Sequence, residues 1–600
     1  MPLYTELPPH VKAVDILVAG GGTAGCIVAS RLADTDPNLS ILVLEAGPNG
    51  AGNPLVDYPA FFFGNLHPTS STATFYKSSK PDMVVPTAKV LGGGSAINMM
   101  QYSRAQREDW DSWQTPGWSA DEILPFARKL ETYHGPGAKE VHGSDGPIHV
   151  SAGTFVSRRF QDGFVSAADQ LGWPEANDLS GFDDRIGVQR ALRYTSPDGK
   201  RQDTASRYLR PRLEDGKHPN LHVAVESRVV KLLVENGKVT GVVYRPKGDD
   251  NGIDRTVLVR RQVVVSAGAF GTPAILERSG IGNPDVLKRA GITEVVADVP
   301  GVGHGYQDHN LLIYTYKSAL DPEETLDALN RGSLDPEELI KDRHRILGWN
   351  GQDATSKIRP NQRDIDSFDS KLKELWNKDY ASNPNKPLMI MAPVCLYPAQ
   401  PDQMPPGQSF ALTLFTVYPL SRGHVHITGR GLDDPVDFNA GFFSDPNGID
   451  VKKHRWAYKK QREIARRIPV FRGEYPENHP AFPAASKAAV IDHIEGPPDT
   501  EIQDVEYSAA DDAAIDDFVR KNVGSTWHSL GTCRMAPREE DGVVDASLSV
   551  YGVQGLKVAD LSIVPRNVAA NTNNTALVIG EKAADILIKE LGLGTSSSNM

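Results

Sequence analysis

The chain has 600 residues and a formal net charge of -12, with 40% hydrophobic and 23% charged residues. A single hydrophobic core stops growing at roughly 250–300 residues, so at least two domains are expected. The acidic balance, with no basic run and no long apolar stretch, argues against a nucleic-acid partner and against a membrane span.

Three widely spaced cysteines, Cys26, Cys395 and Cys533, suit neither a disulfide framework nor a structural zinc site. No metal is expected. The N-terminus has no secretory signal pattern, and Ser598-Asn599-Met600 does not match the Ser-Lys-Leu peroxisomal address. A cytoplasmic or other intracellular location is therefore expected.

In chain order, residues 14–19 form the first predicted strand and lead into Gly20-Gly21-Gly22-Thr23-Ala24-Gly25. A helix over 27–33 and a strand over 41–44, ending at Glu45, complete a β-α-β unit. Strands are predicted at 221–225, 229–234 and 239–244, the last two joined by the turn dipeptide Asn236-Gly237. Residues 262–266 read as a strand, followed by Gly268 and a helix near 273–278. Residues 556–558 read as another, followed by Asp560, a loop and a closing helix from 575 to about 591. Residues 320–405 are rich in charge and proline and are expected to form helices and loops rather than core strands.

Gly20, Gly22 and Gly25 have the GxGxxG spacing. The first permits a tight turn, the second lets backbone approach a pyrophosphate, and the third lets helix and strand pack closely. The helix that follows would point its N-terminus at the phosphates, and Glu45 stands where a ribose hydroxyl would be accepted. The motif alone does not separate FAD from NAD.

Further segments carry a family resemblance. Residues 88–98, with Gly92-Gly93-Gly94-Ser95-Ala96-Ile97-Asn98, resemble the first signature of the glucose-methanol-choline oxidoreductases. Gly268-Ala269-Phe270-Gly271-Thr272-Pro273, continuing to Gly282, resembles the second. Ser525-Thr526-Trp527-His528-Ser529 is similar to the family's catalytic histidine segment, and 556–560 with 571–580 complete the set in family order. Thr526-Trp527-His528, Trp456 to Lys460, Tyr418 to Gly423 and Ile579 to Lys582 resemble the fungal alcohol oxidases of the methanol type.

The resemblance implies an α/β fold with a Rossmann-like FAD-binding domain, discontinuous in sequence, and a second α+β substrate-binding domain built on an antiparallel sheet. The expected division is 1–150, 216–310 and 521–600 for FAD, and 151–215 and 311–520 for the substrate. Gly92 and Gly93 would let backbone lie flat against the flavin, beside Ser95, with Asn98 at the ring edge. Asp560 would orient ribityl or phosphate-bound water; an ordinary loop aspartate is its plainer reading. The Val229 backbone would meet the adenine, although its type suits a strand core equally well. Some relatives bind flavin covalently through a histidine one residue before the Asn98 position. Here Ile97 stands there, so non-covalent FAD is expected.

Oxidising an alcohol removes a proton from oxygen and a hydride from carbon, and imidazole suits the first task. The resemblance assigns the base to His528 and its partner to Asn571, whose amide can stabilise a developing alkoxide. Without that register a lone histidine is more often structural. Met99, Met100 and Trp527 are expected to face the substrate, with ordinary core packing as the rival reading. A phenylalanine occupies the Met99 position in methanol-type relatives, so a longer or functionalised primary alcohol is admitted. His304, His309, His424 and His426 match no motif, and surface or structural roles are their default. The expected partners are a small alcohol and molecular oxygen, with aldehyde and hydrogen peroxide as products; a homo-oligomer stays open. The alternatives are an FAD-dependent dehydrogenase using another acceptor and a flavin-containing lyase of the same fold.

Overall fold

The computed structural model describes residues 2–182, 185–247, 253–499 and 501–593. Its first sheet has eight strands, in the order Leu3–Tyr4, Leu221–Ala224, Ile41–Leu44, Ala13–Ala19, Arg255–Val265, Lys238–Pro246 and Ser227–Glu235, with Leu556–Val558 also paired to Arg255–Val265. Ile41–Leu44 is apolar and buried at every position. That pattern belongs to a parallel strand covered on both faces, and its neighbours run parallel to it. Arg255–Val265 serves two roles. Its first half alternates and pairs antiparallel with Lys238–Pro246, while its apolar end, Val263 to Val265, pairs parallel with both Ala13–Ala19 and Leu556–Val558. The predicted turn at Asn236-Gly237 is present, with φ of +50° and +75°, as a two-residue hairpin of this hand needs.

The second sheet has seven strands and is antiparallel at every pairing. Its order is Phe471–Glu474, Asn310–Ser318, Gln408–Thr416, Met389–Val394, Ala354–Ile358 and Gly187–Arg190, with Gly524–Ser525 also paired to Asn310–Ser318. The fold is therefore α/β joined to α+β, as expected. The expectation for residues 320–405 fails in part. Ala354–Ile358 and Met389–Val394 lie inside the sheet, and the apolar run Met-Ile-Met-Ala-Pro-Val is buried at all six positions. Surrounding charge and proline masked the apolar run Met389–Val394, and Ala354–Ile358, Ala-Thr-Ser-Lys-Ile, has no apolar pattern of its own; burial between sheet neighbours outweighed local composition.

Two helices fix the geometry that matters below. Thr23–Thr35 follows the first strand, and the closing helix Asn573–Glu590 lies along it. Gly580 allows the approach, since a Cβ there would be 3.0 Å from Ala24 Cα. Among the described residues, no helix is long and apolar enough to cross a membrane.

Candidate active site

The carboxyl ends of the parallel strands bring Gly20, Glu45, Ser266 and Asp560 together, which is where open α/β sheets bind ligands. Gly20 has φ +113°, and a side chain there would collide with the Ser266 carbonyl oxygen. Thr23–Thr35 starts from Gly22 with no side-chain cap and no acid in its first turn. Gly25 packs against the Gly20 carbonyl. The helix N-terminus is thus left as an anion site.

Glu45 is buried. Its Oε2 accepts from the Gly21 amide at 2.9 Å and its Oε1 from the Gly47 amide at 2.7 Å. Burial outweighs these bonds and pushes its carboxyl up to about 7. A ribose hydroxyl donating to Glu45 favours the ionised form, so coenzyme affinity should rise as pH rises through about 7. Fluorescence titration of the cofactor-free protein with FAD should give a Kd up to about tenfold smaller at about pH 8 than at about pH 6. Glu45→Gln should remove the difference; a wild-type Kd that does not change with pH would refute it.

The second glycine segment is pressed onto the first. The Gly92 amide donates to the Gly21 carbonyl at 2.8 Å, and the Thr23 hydroxyl donates to the Gly92 carbonyl at 3.3 Å and accepts from the Ser95 amide at 3.2 Å. Ser95 Oγ donates to the Gly92 carbonyl at 2.6 Å. Gly93 has φ +56°, and a Cβ would sit 2.7 Å from Gly22 Cα. Asn98 Oδ1 accepts from the Met100 amide at 2.9 Å and from Arg201 Nη1 at 3.0 Å. Arg201 was not singled out by any motif. It is buried, also holds the Val56, Ser95 and Asn98 carbonyls, and has its pKa pulled down to about 10 by burial.

Val229 is buried in Ser227–Glu235, next to a register shift, and that strand begins where the Ser227 amide meets the Glu45 carbonyl at 2.7 Å. Asp560 lies at the end of Leu556–Val558, but its carboxylate is taken by protein groups. Oδ2 accepts from the Gly268 amide and the Thr272 hydroxyl, and Oδ1 from the Ser562 amide. It ties the last parallel strand to the helix Gly268–Arg278.

His528 is positioned by the second sheet. Asn310 pairs with Ser525, which brings His309, one residue before the first strand, close to His528, three residues past the second. His309 Nδ1 is 2.8 Å from His528 Nδ1, and His309 Nε2 is 3.0 Å from the Val568 carbonyl. On the other side of the ring, His528 Nε2 lies 3.4 Å from Asn571 Nδ2. The two sequence-predicted catalytic groups therefore meet. Burial, with His309 alongside, holds the His528 pKa well below the usual 6.5.

The default reading of His309 is overturned: it is buried and touches the predicted base. Its two predecessors act on the same loops. Asp308 accepts from the His528 amide at 3.1 Å and from Ser525 Oγ at 2.5 Å, and burial pushes its carboxyl up to about 7. Gln307 holds the Pro565 carbonyl and the Asn567 amide. Asp109 Oδ2 holds the Ala569 amide at 3.0 Å. The readable signal was three consecutive polar residues just before an apolar strand.

The pocket residues divide. Trp527 has φ +61° and is 39% exposed. A bulky residue held in that region is strained, and such strain gathers at functional sites. The Ser525 hydroxyl accepts from its amide at 2.7 Å. Met99 is half-buried, with its carbonyl held by Asn350. Met100 does not line open space: it is 0% exposed. Its φ of +59° and the Tyr194 amide on its carbonyl turn the side chain into the core.

These features fit a dinucleotide with a flat ring. They are a free helix N-terminus, two thin glycine backbones in contact and a buried carboxylate. At the start of the closing helix, Thr575 Oγ1 is buried with no hydrogen-bond partner among the described residues, as a polar group awaiting a ligand would be.

Comparison with known proteins agrees. The chain matches the GMC oxidoreductase profiles over residues 14–311 and 419–580. It is 36% identical to an alcohol oxidase of Candida boidinii, covering 98% of this chain and 96% of that one. It is 31% identical to an oxygen-dependent choline dehydrogenase of Sinorhizobium medicae, over 97% of each. Among solved structures, an FAD-dependent oxidoreductase from Chaetomium thermophilum superposes with a TM-score of 0.78 at 25% identity, covering 97% of this chain and 100% of that one. The formate oxidase of Aspergillus oryzae RIB40 shares the fold, with a TM-score of 0.80 at 22% identity over 96% and 98% of the two chains. Signature segments, cofactor cradle, fold and full-length relatives converge, and the chain belongs to the GMC oxidoreductases.

Proposed function

We propose that the protein oxidises a primary alcohol to an aldehyde, with FAD as coenzyme and oxygen as final acceptor. The approach of His528 Nε2 to Asn571 Nδ2, 3.4 Å apart, carries this reading. The alcohol oxidase relatives support it.

Gly20, Gly22, Thr23, Gly25 and Glu45 would hold the adenosine diphosphate part, with Val229 beside the adenine. Gly92, Gly93, Ser95 and Asn98 would hold the ring, and Asp560 would act through the backbone it fixes. When bound, the flavin would supply a hydride acceptor and a two-electron route to oxygen that ends in hydrogen peroxide. The rest falls to this chain. Asn571 donates to the substrate oxygen and orients it. His528 takes the hydroxyl proton at Nε2 while hydride leaves carbon. That proton then stays beside the site where oxygen gains negative charge and completes the peroxide. Alcohol plus oxygen gives aldehyde plus peroxide, so no proton is left over.

Three finer points belong to the same reading. FAD is held without a covalent bond, because Ile97 offers no nucleophile and is buried among apolar residues. The proposed division is a cofactor domain of 1–150, 216–310 and 521–600 and a substrate domain of 151–215 and 311–520; the two sheets fit it except that Gly524–Ser525 pairs in the second sheet. Met99 and the exposed Trp527 ring favour an alcohol larger than methanol.

Peroxide release under air, followed with a peroxidase-coupled dye across short aliphatic, long aliphatic and aryl alcohols, tests the function. Flavin bleaching by alcohol without peroxide in air would favour the dehydrogenase alternative, and no bleaching by any alcohol would contradict the proposal. The pH profile gives a second check. His528 works unprotonated, and its pKa lies below 6.5. As pH falls, kcat/KM should hold through 6.5 and decline only below it; an acid limb above 6.5 would contradict a neutral His528.

A further inference from the structure

We propose that His309 is a positioning residue that fixes the tautomer of His528, keeping the proton on Nδ1 and the lone pair on Nε2. The proposal rests on the functional reading above and adds a residue to it.

The Val568 carbonyl oxygen can only accept, and it lies 3.0 Å from His309 Nε2. His309 Nε2 must therefore carry a hydrogen. His309 is 0% exposed, and burial pulls its pKa down to about 4, so the ring is neutral at physiological pH. A neutral imidazole with hydrogen on Nε2 has a bare Nδ1, which can only accept. His528 Nδ1 lies 2.8 Å from it and must be the donor. One hydrogen per neutral ring then leaves His528 Nε2 as a lone pair, directed at Asn571 Nδ2, which can only donate.

The geometry resists alternatives. The two imidazoles stand edge to face, at 88° with centroids 5.0 Å apart, and Phe415 stacks on His309 at 5.3 Å. Thr526 Oγ1 donates to the His309 carbonyl at 2.7 Å, so backbone and side chain of His309 both grip the His528 segment. Putting the proton on His528 Nε2 would oppose two bare Nδ1 atoms across 2.8 Å and two donors across 3.4 Å. Both contacts would turn repulsive together, so the tautomer needed for proton abstraction is the one the structure stabilises.

The test is nitrogen NMR of FAD-bound protein labelled with ¹⁵N-histidine, with His528 assigned by difference against His528→Asn. Wild type should show a pyridine-type Nε2 and a pyrrole-type Nδ1 at His528. His309→Ala should yield a mixture of tautomers and slow flavin reduction by about 10²-fold, the low end of what general-base help supplies. Apparent alcohol affinity should change little. His309→Asn places an oxygen acceptor near the lost Nδ1 and should recover most of the rate. A hydrogen on Nε2 in wild type, wild-type reduction in His309→Ala, or no recovery in a flavin-bound His309→Asn would overturn the proposal. The wild-type spectrum needs no turnover. A protein inert to every alcohol would sink the functional reading, and the spectrum would still decide the tautomer.

Discussion

In His528→Ala, alcohol bleaches the bound flavin about 10²–10⁴-fold more slowly than in wild type, the usual worth of a positioned general base. The yellow colour survives. His528 hangs from the second sheet through the Asp308 carboxylate and the His309 ring, and none of the hydrogen bonds that build the glycine cradle passes through it. The variant should bind FAD in the wild-type ratio and melt close to wild type. Stopped-flow absorbance under anaerobic conditions measures the step directly, without the oxygen half-reaction. The loss corresponds to about 2.7–5.5 kcal/mol of barrier. Reduction at the wild-type rate would remove His528 from its role.

Gly93→Val should give a colourless protein. The backbone there has φ +56°, which costs an L-residue about 1–2 kcal/mol and a β-branched one more. Its Cβ would also lie 2.7 Å from Gly22 Cα and 3.0 Å from the Thr23 amide. Those atoms are main chain and cannot rotate away. The second glycine segment must move off the first, breaking the contact between Gly92 and Gly21 on which the cradle depends. FAD affinity should fall by well over tenfold, since each 1.4 kcal/mol is a factor of ten. The ratio of absorbance at the flavin band to that of protein, after gel filtration, reads this out. A fully loaded yellow variant would show that the two glycine segments need not touch.

These two predictions draw on parts that differed in how legible they were. The cofactor half was readable because its chemistry is local. Gly20, Gly22, Gly25 and Glu45 lie within one β-α-β unit, where spacing alone forces the turn, the helix N-terminus and the acid together. A strand such as Ile41–Leu44 was readable because a parallel strand buried on both faces is continuously apolar. The catalytic half depends on pairing between remote strands. His528 and Asn571 were placed by resemblance, whereas His309 reaches His528 only because Asn310 pairs with Ser525, some two hundred residues away. No local pattern encodes that register. Met100 failed for a similar reason. Its place after the glycine signature suggested the cavity, but a left-handed backbone reversed the direction of its side chain. Met389–Val394 was hidden by the charged, proline-rich sequence around it, although its own six residues carry the signal of a central strand.

The relation between the base and its environment also follows from that register. Asp308, His309 and Gln307 are adjacent, yet each reaches a different part of the catalytic loops. One short segment thereby sets the height of His528, its rotation and the position of the 565–571 loop. A site held on three sides in this way is preorganised, which is what electrostatic catalysis requires.

The most direct measurement is a crystal structure of the FAD-bound protein with a slow alcohol or alcohol analogue. The ligand oxygen should lie within hydrogen-bonding distance of both His528 Nε2 and Asn571 Nδ2, with its reactive carbon about 3–3.5 Å from the ring. Density that put the ring away from those two side chains, or the alcohol against other groups, would contradict the account.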